Sequence, residues 1–537
     1  MTSGADIIAG KLHAAGCRHA FGIPGGEVLA LMDSLNRAGL RFVLVKHENA
    51  GGFMAEGGWH ADGAPSVLLA TLGPGVANAV NVVANAWQDR VPLIFLTGCV
   101  DAAEAESYTH QVFDHQQLLR PIVKASFSAR LGALDAMMDK AIALAMEGQP
   151  GAVHIDVPIN VADQITEEPW SASTPLPLPA QAPAPGRQLE EALKLFRTAQ
   201  RPIVLAGVDA VNEGVGPEIT AFCEQFEIPL VTTYKGKGLM DERRALALGG
   251  AGLSPKADDV LLPLFQQSDC ILLLGYDPIE MRINWRHPWP KDAPVIEVTS
   301  VLRTHGMHDV QATLRSDIRP ALEHLSAARD GGQATWQDAE PAKAKAQLKG
   351  IFEAEENWGP ARAFHALRSV MPDETVVTAD SGAHRILVSQ IWQCTSPRTM
   401  LQSSALCTMG CALPLAMGHR LVDGKAPVLV FVGDAGLEMC LGELSTLRDL
   451  KIPVIICVMV DASLALIELK QRKSQLGNVG VDFEETDFPA VARAYGGHGV
   501  WIDDEAALMK EAKAALARES FTILACRISR KAYDGKF

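Results

Sequence analysis

At 537 residues the chain is too long for one hydrophobic core, and its length suggests roughly three or four domains. With 48% hydrophobic and 21% charged residues it is not a disordered chain. A formal net charge of −15, from 63 acidic against 48 basic residues, sets its average surface against nucleic acid and anionic membranes. The ten cysteines are scattered without C-x-x-C pairs, so they are expected as reduced, buried small residues. Apolar runs such as VPLIFLTG and PVLVFVGD are much shorter than the roughly 20 residues that cross a bilayer. The opening MTSGADIIAGKLHAAGCRHAF lacks the basic-then-apolar order of a secretory signal. A cytoplasmic protein is expected, with no membrane or nucleic-acid partner.

The first block, residues 1–170, alternates helix-like segments with the strand-like runs RFVLVKHE, PSVLLATLG, VPLIFLTG and GAVHIDVP. This rhythm predicts a parallel α/β domain. Glu48 stands just past RFVLV, where a helix is predicted to begin; taken alone it reads as a solvated helix-start residue. Gly73 and Gly75 flank Pro74 and permit close backbone approach. In THQVFDHQQ, His110 and His115 are each either a proton handle or a hydrated surface residue. The proline-rich STPLPLPAQAPAPGRQ, 173–188, has no amphipathic period and reads as an extended linker.

The second block, 189–345, repeats the rhythm with RPIVLAGVD, IPLVTTYKG, CILLLGYD and PVIEVTS. Its Gly249, Gly250 and Gly252 form no isolated dinucleotide fingerprint. The third block, 357–537, carries DETVVTADSG, VLVFV, VIICVMV and FTILACR. The fold class is therefore α/β, with three Rossmann-like parallel-sheet domains. Asp434 follows VLVFVG and Asp461 follows VIICVMV, so a β-α-β unit would bring both carboxylates to one carboxyl edge. Such a pair commonly caps helices or satisfies turn N–H groups. With Gly433 and Gly436 beside it, it also suits a hard divalent ion holding a phosphate.

The stretches FGIPGGEVLALMDSL, VKHENAGGFMAEG, TLGPGVANAVNVVANAWQDRVPLIFLTG, CTMGCALP, GDAG and VMVDAS closely resemble the thiamine-diphosphate enzyme family that includes acetolactate synthases, pyruvate oxidases and 2-keto-acid decarboxylases. The resemblance covers nearly the whole chain. It implies an N-terminal pyrimidine-binding domain, a central α/β domain and a C-terminal domain that binds diphosphate and Mg²⁺. By resemblance, Asp434, Asp461 and the backbone carbonyl of Ser463 are the metal ligands. Gly26, Gly382, His384, Gly433, Ala435 and Gly436 are then cofactor-binding, Met409 lies beneath the bend of the cofactor, and Leu466 and Ile467 shield it from water. Glu48 addresses the aminopyrimidine ring as the acid–base residue, and Gln111 and His110 approach the reaction centre.

Four positions depart from the family pattern: Ala435 replaces a glycine, Asp461 stands for an asparagine, Ala383 stands where related proteins often have Gln, and His110 stands where acetolactate synthases usually have Phe. Some members retain FAD in the central domain, and the resemblance leaves FAD open here. It implies a homodimer or homotetramer whose active sites span two subunits. The activity implied is 2-keto-acid decarboxylation and carboligation, with acetolactate formation from pyruvate leading. The alternatives are a non-ligating decarboxylase, an oxidase, or a non-catalytic homologue that binds thiamine diphosphate.

Overall fold

The computed structural model describes residues 2–101, 103–105, 107–172, 179–302, 305–330 and 335–537. Three six-stranded sheets follow one another along the chain, and every pair of neighbouring strands within them is parallel. Runs such as Ser66–Ala70, Cys270–Leu274 and Ile455–Val460 are buried along their whole length, as strands covered by helices on both faces must be. The continuous apolar runs of the sequence are these central strands.

The N-terminal sheet runs Arg41–Leu44, His19–Ile23, Ser66–Ala70, Leu93–Cys99, Val153–Pro158, Ala125–Ser128, and the C-terminal sheet runs Met400–Gln402, Val376–Ala379, Val428–Gly433, Ile455–Val460, Thr522–Arg527, His498–Ile502. Ranked by chain order within each domain, both read 2-1-3-4-6-5. The central sheet runs Ala247–Gly250, Leu230–Thr232, Pro202–Ala206, Cys270–Leu274, Val295–Thr299, Ala312–Arg315, which is the 3-2-1-4-5-6 order of dinucleotide-binding folds. In all three, the direction of winding reverses beside the first strand, which opens a crevice at the carboxyl edge of the sheet.

Part of the stretch expected as a linker, 173–178, lies outside the described residues, and its last two residues already belong to the helix Arg187–Thr198. All ten cysteines are free thiols, and all but Cys99 and Cys407 are buried. Among the described residues no helix is long and apolar enough to cross a membrane.

Two helices fix the N-terminal domain against the C-terminal one. Glu48–Asp62 is capped at its start by the His47 side chain, which accepts from the Asn49 N–H, and ends at Gly63 in the left-handed region. It crosses Ala412–Asp423 so closely that a Cβ on Gly57 would lie 2.1 Å from the Leu415 carbonyl oxygen, and one on Gly418 1.8 Å from that of Met54. The loop before Glu48 is tied to the same domain, because the Lys46 and His47 N–H groups both donate to the buried Glu443 carboxylate, at 2.8 and 3.2 Å.

Candidate active site

At the switch point of the C-terminal sheet, the loops after Val376–Ala379 and Val428–Gly433 face one another. Asp380 joins them. Its Oδ1 is 2.8 Å from His384 Nε2, and its Oδ2 accepts from the Gly410 N–H at 2.7 Å. A Cβ on Gly436 would lie 2.1 Å from the same Oδ2, so glycine is needed there for the loop to approach. With Nε2 held by Asp380, the Nδ1 edge of His384 faces Gly382 and Gly433. Ala435 sits within the helical turn Asp434–Glu438 and is not among the residues in the left-handed region, so its departure from glycine is accommodated.

Asp434 is 3% exposed. Its Oδ1 accepts from Ala435 N–H at 2.8 Å, and its Oδ2 accepts from Asp461 and Ala462 N–H at 3.0 and 2.7 Å. One carboxylate therefore fixes both loops. Asp461 Oδ1 accepts from Ser463 N–H at 3.1 Å, and Ser463 Oγ donates to Asp482 at 2.7 Å. Burial, and then the charge of Asp434, pushes the Asp461 carboxyl up to about 8. Burial also raises Asp434. Two neighbouring buried carboxylates repel, and hard oxygen donors of this kind suit a divalent ion that removes the repulsion.

These side chains line one cavity of about 120 Å³, together with Gly382, His384, Met409, Gly433, Ala435, Gly436, Ser463, Leu466 and Ile467. The cavity also takes in Met459 and Tyr533. Tyr533 is buried, and its hydroxyl finds no hydrogen-bond partner among the described residues. Burial and the carboxylates of Asp461 and Asp434 hold its phenol well above the ordinary tyrosine range, so it remains a donor. Two roomier clefts, of about 480 and 840 Å³, lie elsewhere and are lined by neither Asp434 nor Asp461.

The remaining sequence-predicted residues, Glu48, Gln111, His110 and Gly26, do not line this cavity. Glu48, Gln111 and the Gly25–Gly26 loop gather instead at the switch point of the N-terminal sheet, around the loop 71–75. Glu48 is 4% exposed, a buried residue rather than a solvated helix start, and accepts from Asn78 Nδ2 at 3.0 Å. Gly25 packs against Thr71, whose hydroxyl donates to Glu27 at 2.6 Å. Gln111 takes the left-handed conformation with its carbonyl against Gly73. His110 is exposed.

His115 is buried rather than hydrated: its Nε2 accepts from the Gly73 N–H at 3.2 Å, and its Nδ1 lies 2.8 Å from Asp156. Together with His154 these residues form the one cluster with metal-ligand spacing among the described residues. The Gly73 N–H fixes the proton of His115 on Nδ1, aimed at Asp156, and His154 is spanned by Thr97 and Ser126 hydroxyls at 2.8 and 2.6 Å. The cluster as folded is a satisfied hydrogen-bond chain.

In the central sheet the corresponding edge is bridged by the chain itself. Gly207 N–H donates to Leu274 O and Asp209 N–H to Gly275 O, both at 3.1 Å. From the N-terminal domain, Arg90 pairs with Asp277 at 2.6 Å and Gln149 donates to Asp209 at 2.8 Å.

Sequence reasoning missed Asp380 and Tyr533. Asp380 had a signal, since it ends a strand at the same edge as Asp434. Tyr533 had none.

Three family models match in chain order: the thiamine pyrophosphate enzyme N-terminal TPP binding domain over residues 2–118, the central domain over 189–325 and the C-terminal TPP binding domain over 380–526. The chain belongs to the thiamine pyrophosphate enzyme family. It is thus a thiamine-diphosphate-dependent enzyme, of the group that processes 2-keto acids. Among its relatives, a probable acetolactate synthase large subunit of Methanocaldococcus jannaschii is 29% identical over 524 residues, which is 92% of this chain and 86% of that one. The acetolactate synthase of Bacillus subtilis is 27% identical over 515 residues (93% and 88%), and the acetolactate synthase isozyme 3 large subunit of Escherichia coli is 27% identical over 519 (94% and 90%). In this thiamine pyrophosphate enzyme the two flanking sheets, which share one strand order, are the two matched cofactor-binding domains.

Proposed function

We propose that the chain is a Mg²⁺-dependent 2-keto-acid decarboxylase and carboligase whose leading reaction joins two pyruvates into acetolactate. The observation that carries the reading is the buried carboxylate pair, Asp434 and Asp461, at the carboxyl edge of the C-terminal sheet beside its switch point. Asp434, Asp461 and the Ser463 carbonyl would hold Mg²⁺, and the diphosphate would meet the His384 edge and the start of the helix Ala383–Ile391, where an anion is favoured. Thiamine diphosphate, when bound, supplies the electron sink that a 2-keto acid needs to lose CO₂.

The chain's own residues do the rest. Asn78 holds one oxygen of Glu48, and the other oxygen would hold or give up a proton toward the pyrimidine ring of a bound cofactor. Leu466 and Ile467 line the cavity with apolar side chains, Ile467 43% exposed at its mouth, and would keep water from the reacting carbon once the site is closed. Gln111 and His110 orient the substrate carbonyl. Because Glu48 does not line the Asp434–Asp461 cavity of its own chain, a complete site would take Glu48 from a second copy, in a homodimer or a dimer of dimers. The acetolactate synthase names of the relatives favour ligation over protonation or oxidation.

The test is mass spectrometry of the cofactor released on denaturing the purified protein, followed by product analysis with pyruvate and a panel of other 2-keto acids. Thiamine diphosphate and acetolactate are the expected results. An aldehyde alone would reassign the chain as a simple decarboxylase, and acyl phosphate or peroxide as an oxidase. Absence of turnover with every donor, with the cofactor bound, would contradict the proposal.

A further inference from the structure

The chain does not end with its last strand. After Thr522–Arg527 the remaining residues fold back over the carboxyl edge of the sheet, held at four points. Ile528 N–H donates to the Val460 carbonyl at 3.0 Å. Arg530 reaches the Asp461 carbonyl at 3.3 Å and the Asp482 carboxylate at 3.1 Å. Asp534 pairs with Arg472 through two 2.7 Å contacts, and Lys536 pairs with Glu355. Three of these four anchors fall on the elements that frame the carboxylate cavity: the strand that ends at Val460, the loop at Asp461 and Asp482, and the helix Ala465–Lys473.

What the strap delivers there is Tyr533. Its side chain is 4% exposed, its ring belongs to the core and it lines the same cavity as Asp434 and Asp461. Its hydroxyl is buried with no hydrogen-bond partner among the described residues. A phenol packed for structure alone would lose nothing as phenylalanine, whereas an unpaired buried hydroxyl is costly to keep. Proteins retain such groups where a ligand completes them.

We propose that Tyr533 is a cofactor-binding residue, its hydroxyl donating a hydrogen bond to the magnesium–diphosphate group held between Asp434 and Asp461, and that residues 528–537 are the strap that carries it into the site. The inference rests on the reading of that cavity given above. It adds a donor from the C-terminal tail, which lies beyond the stretch matched by the C-terminal domain of the family.

The test is Tyr533→Phe in the full chain, measured without activity. Removing an unpaired hydroxyl leaves the cofactor-free protein as stable as wild type or slightly more so. Titration calorimetry with thiamine diphosphate in excess Mg²⁺ then shows an affinity about tenfold or more below wild type, the scale of a lost hydrogen bond to a charged group. Magnesium with inorganic diphosphate, the minimal probe, shows the same loss. An affinity equal to wild type overturns the role of Tyr533, whether or not the melting temperature falls. Wild-type protein that binds neither probe overturns the site reading as well, so the two failures are told apart.

Discussion

Replacing Asp461 by asparagine separates charge from shape at the carboxylate pair. In the folded, metal-free chain burial and Asp434 raise its carboxyl from the ordinary 3.8 to about 8. The folded state thus binds the more protons between those values, so its stability falls as pH rises through that window. The penalty is absent below the lower value and complete above the higher one. Without metal, Asp461→Asn is expected to melt above wild type at pH above about 8, with the gap closing toward pH about 4; Mg²⁺ narrows it by stabilising wild type. Thermal melts across pH, with and without Mg²⁺, check this, and equal melts at high pH would contradict it. For Glu48, replacement by Gln keeps the hydrogen bond from Asn78 and removes the proton exchange. Cofactor affinity is expected to stay near wild type while CO₂ release from pyruvate falls by about 10²–10⁴. Near-normal release would remove Glu48 from its role. Asp434, Asp461, His384 and Met409 were legible because each follows a strand-like run or a family motif. Asp380 and Tyr533 were less so, because what defines them is contact with distant parts of the chain, the Gly410 N–H for one and the cavity wall for the other.

Among the elements, the crossing of Glu48–Asp62 on Ala412–Asp423 sets the two cofactor-binding domains against each other. At Gly418 an added methyl would meet the Met54 carbonyl oxygen at 1.8 Å, a backbone contact that no rotamer relieves. Gly418→Ala is expected to cost about 1–3 kcal/mol or more, read as a lower midpoint in urea, and an unchanged midpoint would show that the helices slide apart freely. The existence of the strands was plain in the sequence, since fully buried parallel strands are continuous apolar runs. Their order was not. All three blocks share one alternating rhythm, yet Thr522–Arg527 enters between Ile455–Val460 and His498–Ile502, while the central sheet keeps its last strands in sequence. Local periodicity reports burial, whereas strand pairing is decided by packing between residues far apart in the chain. The same limit applies to the central sheet's edge: its glycines and aspartates suggested nothing of the side chains that reach it from the N-terminal domain.

For the whole molecule, the proposed site has two parts within one chain: the Asp434–Asp461 cavity at the carboxyl edge of the C-terminal sheet, and the Glu48–Gln111 loop cluster of the N-terminal domain, which does not line that cavity. The sequence held both sets of residues, but not that they would gather at two different places in the chain. Two copies with two-fold symmetry would complete two sites at once, each copy lending its Glu48 to the cavity of the other. The measurement that tests this most directly is subunit mixing. Glu48→Gln and Asp434→Ala proteins, each inactive alone, are dissociated, combined in equal amounts and reassembled, and CO₂ release from pyruvate is followed. Random pairing gives mixed dimers with one intact site each, so recovery to about a quarter of wild-type turnover is expected. No recovery, from mixed assemblies shown by mass spectrometry to have formed, would contradict a site shared between subunits.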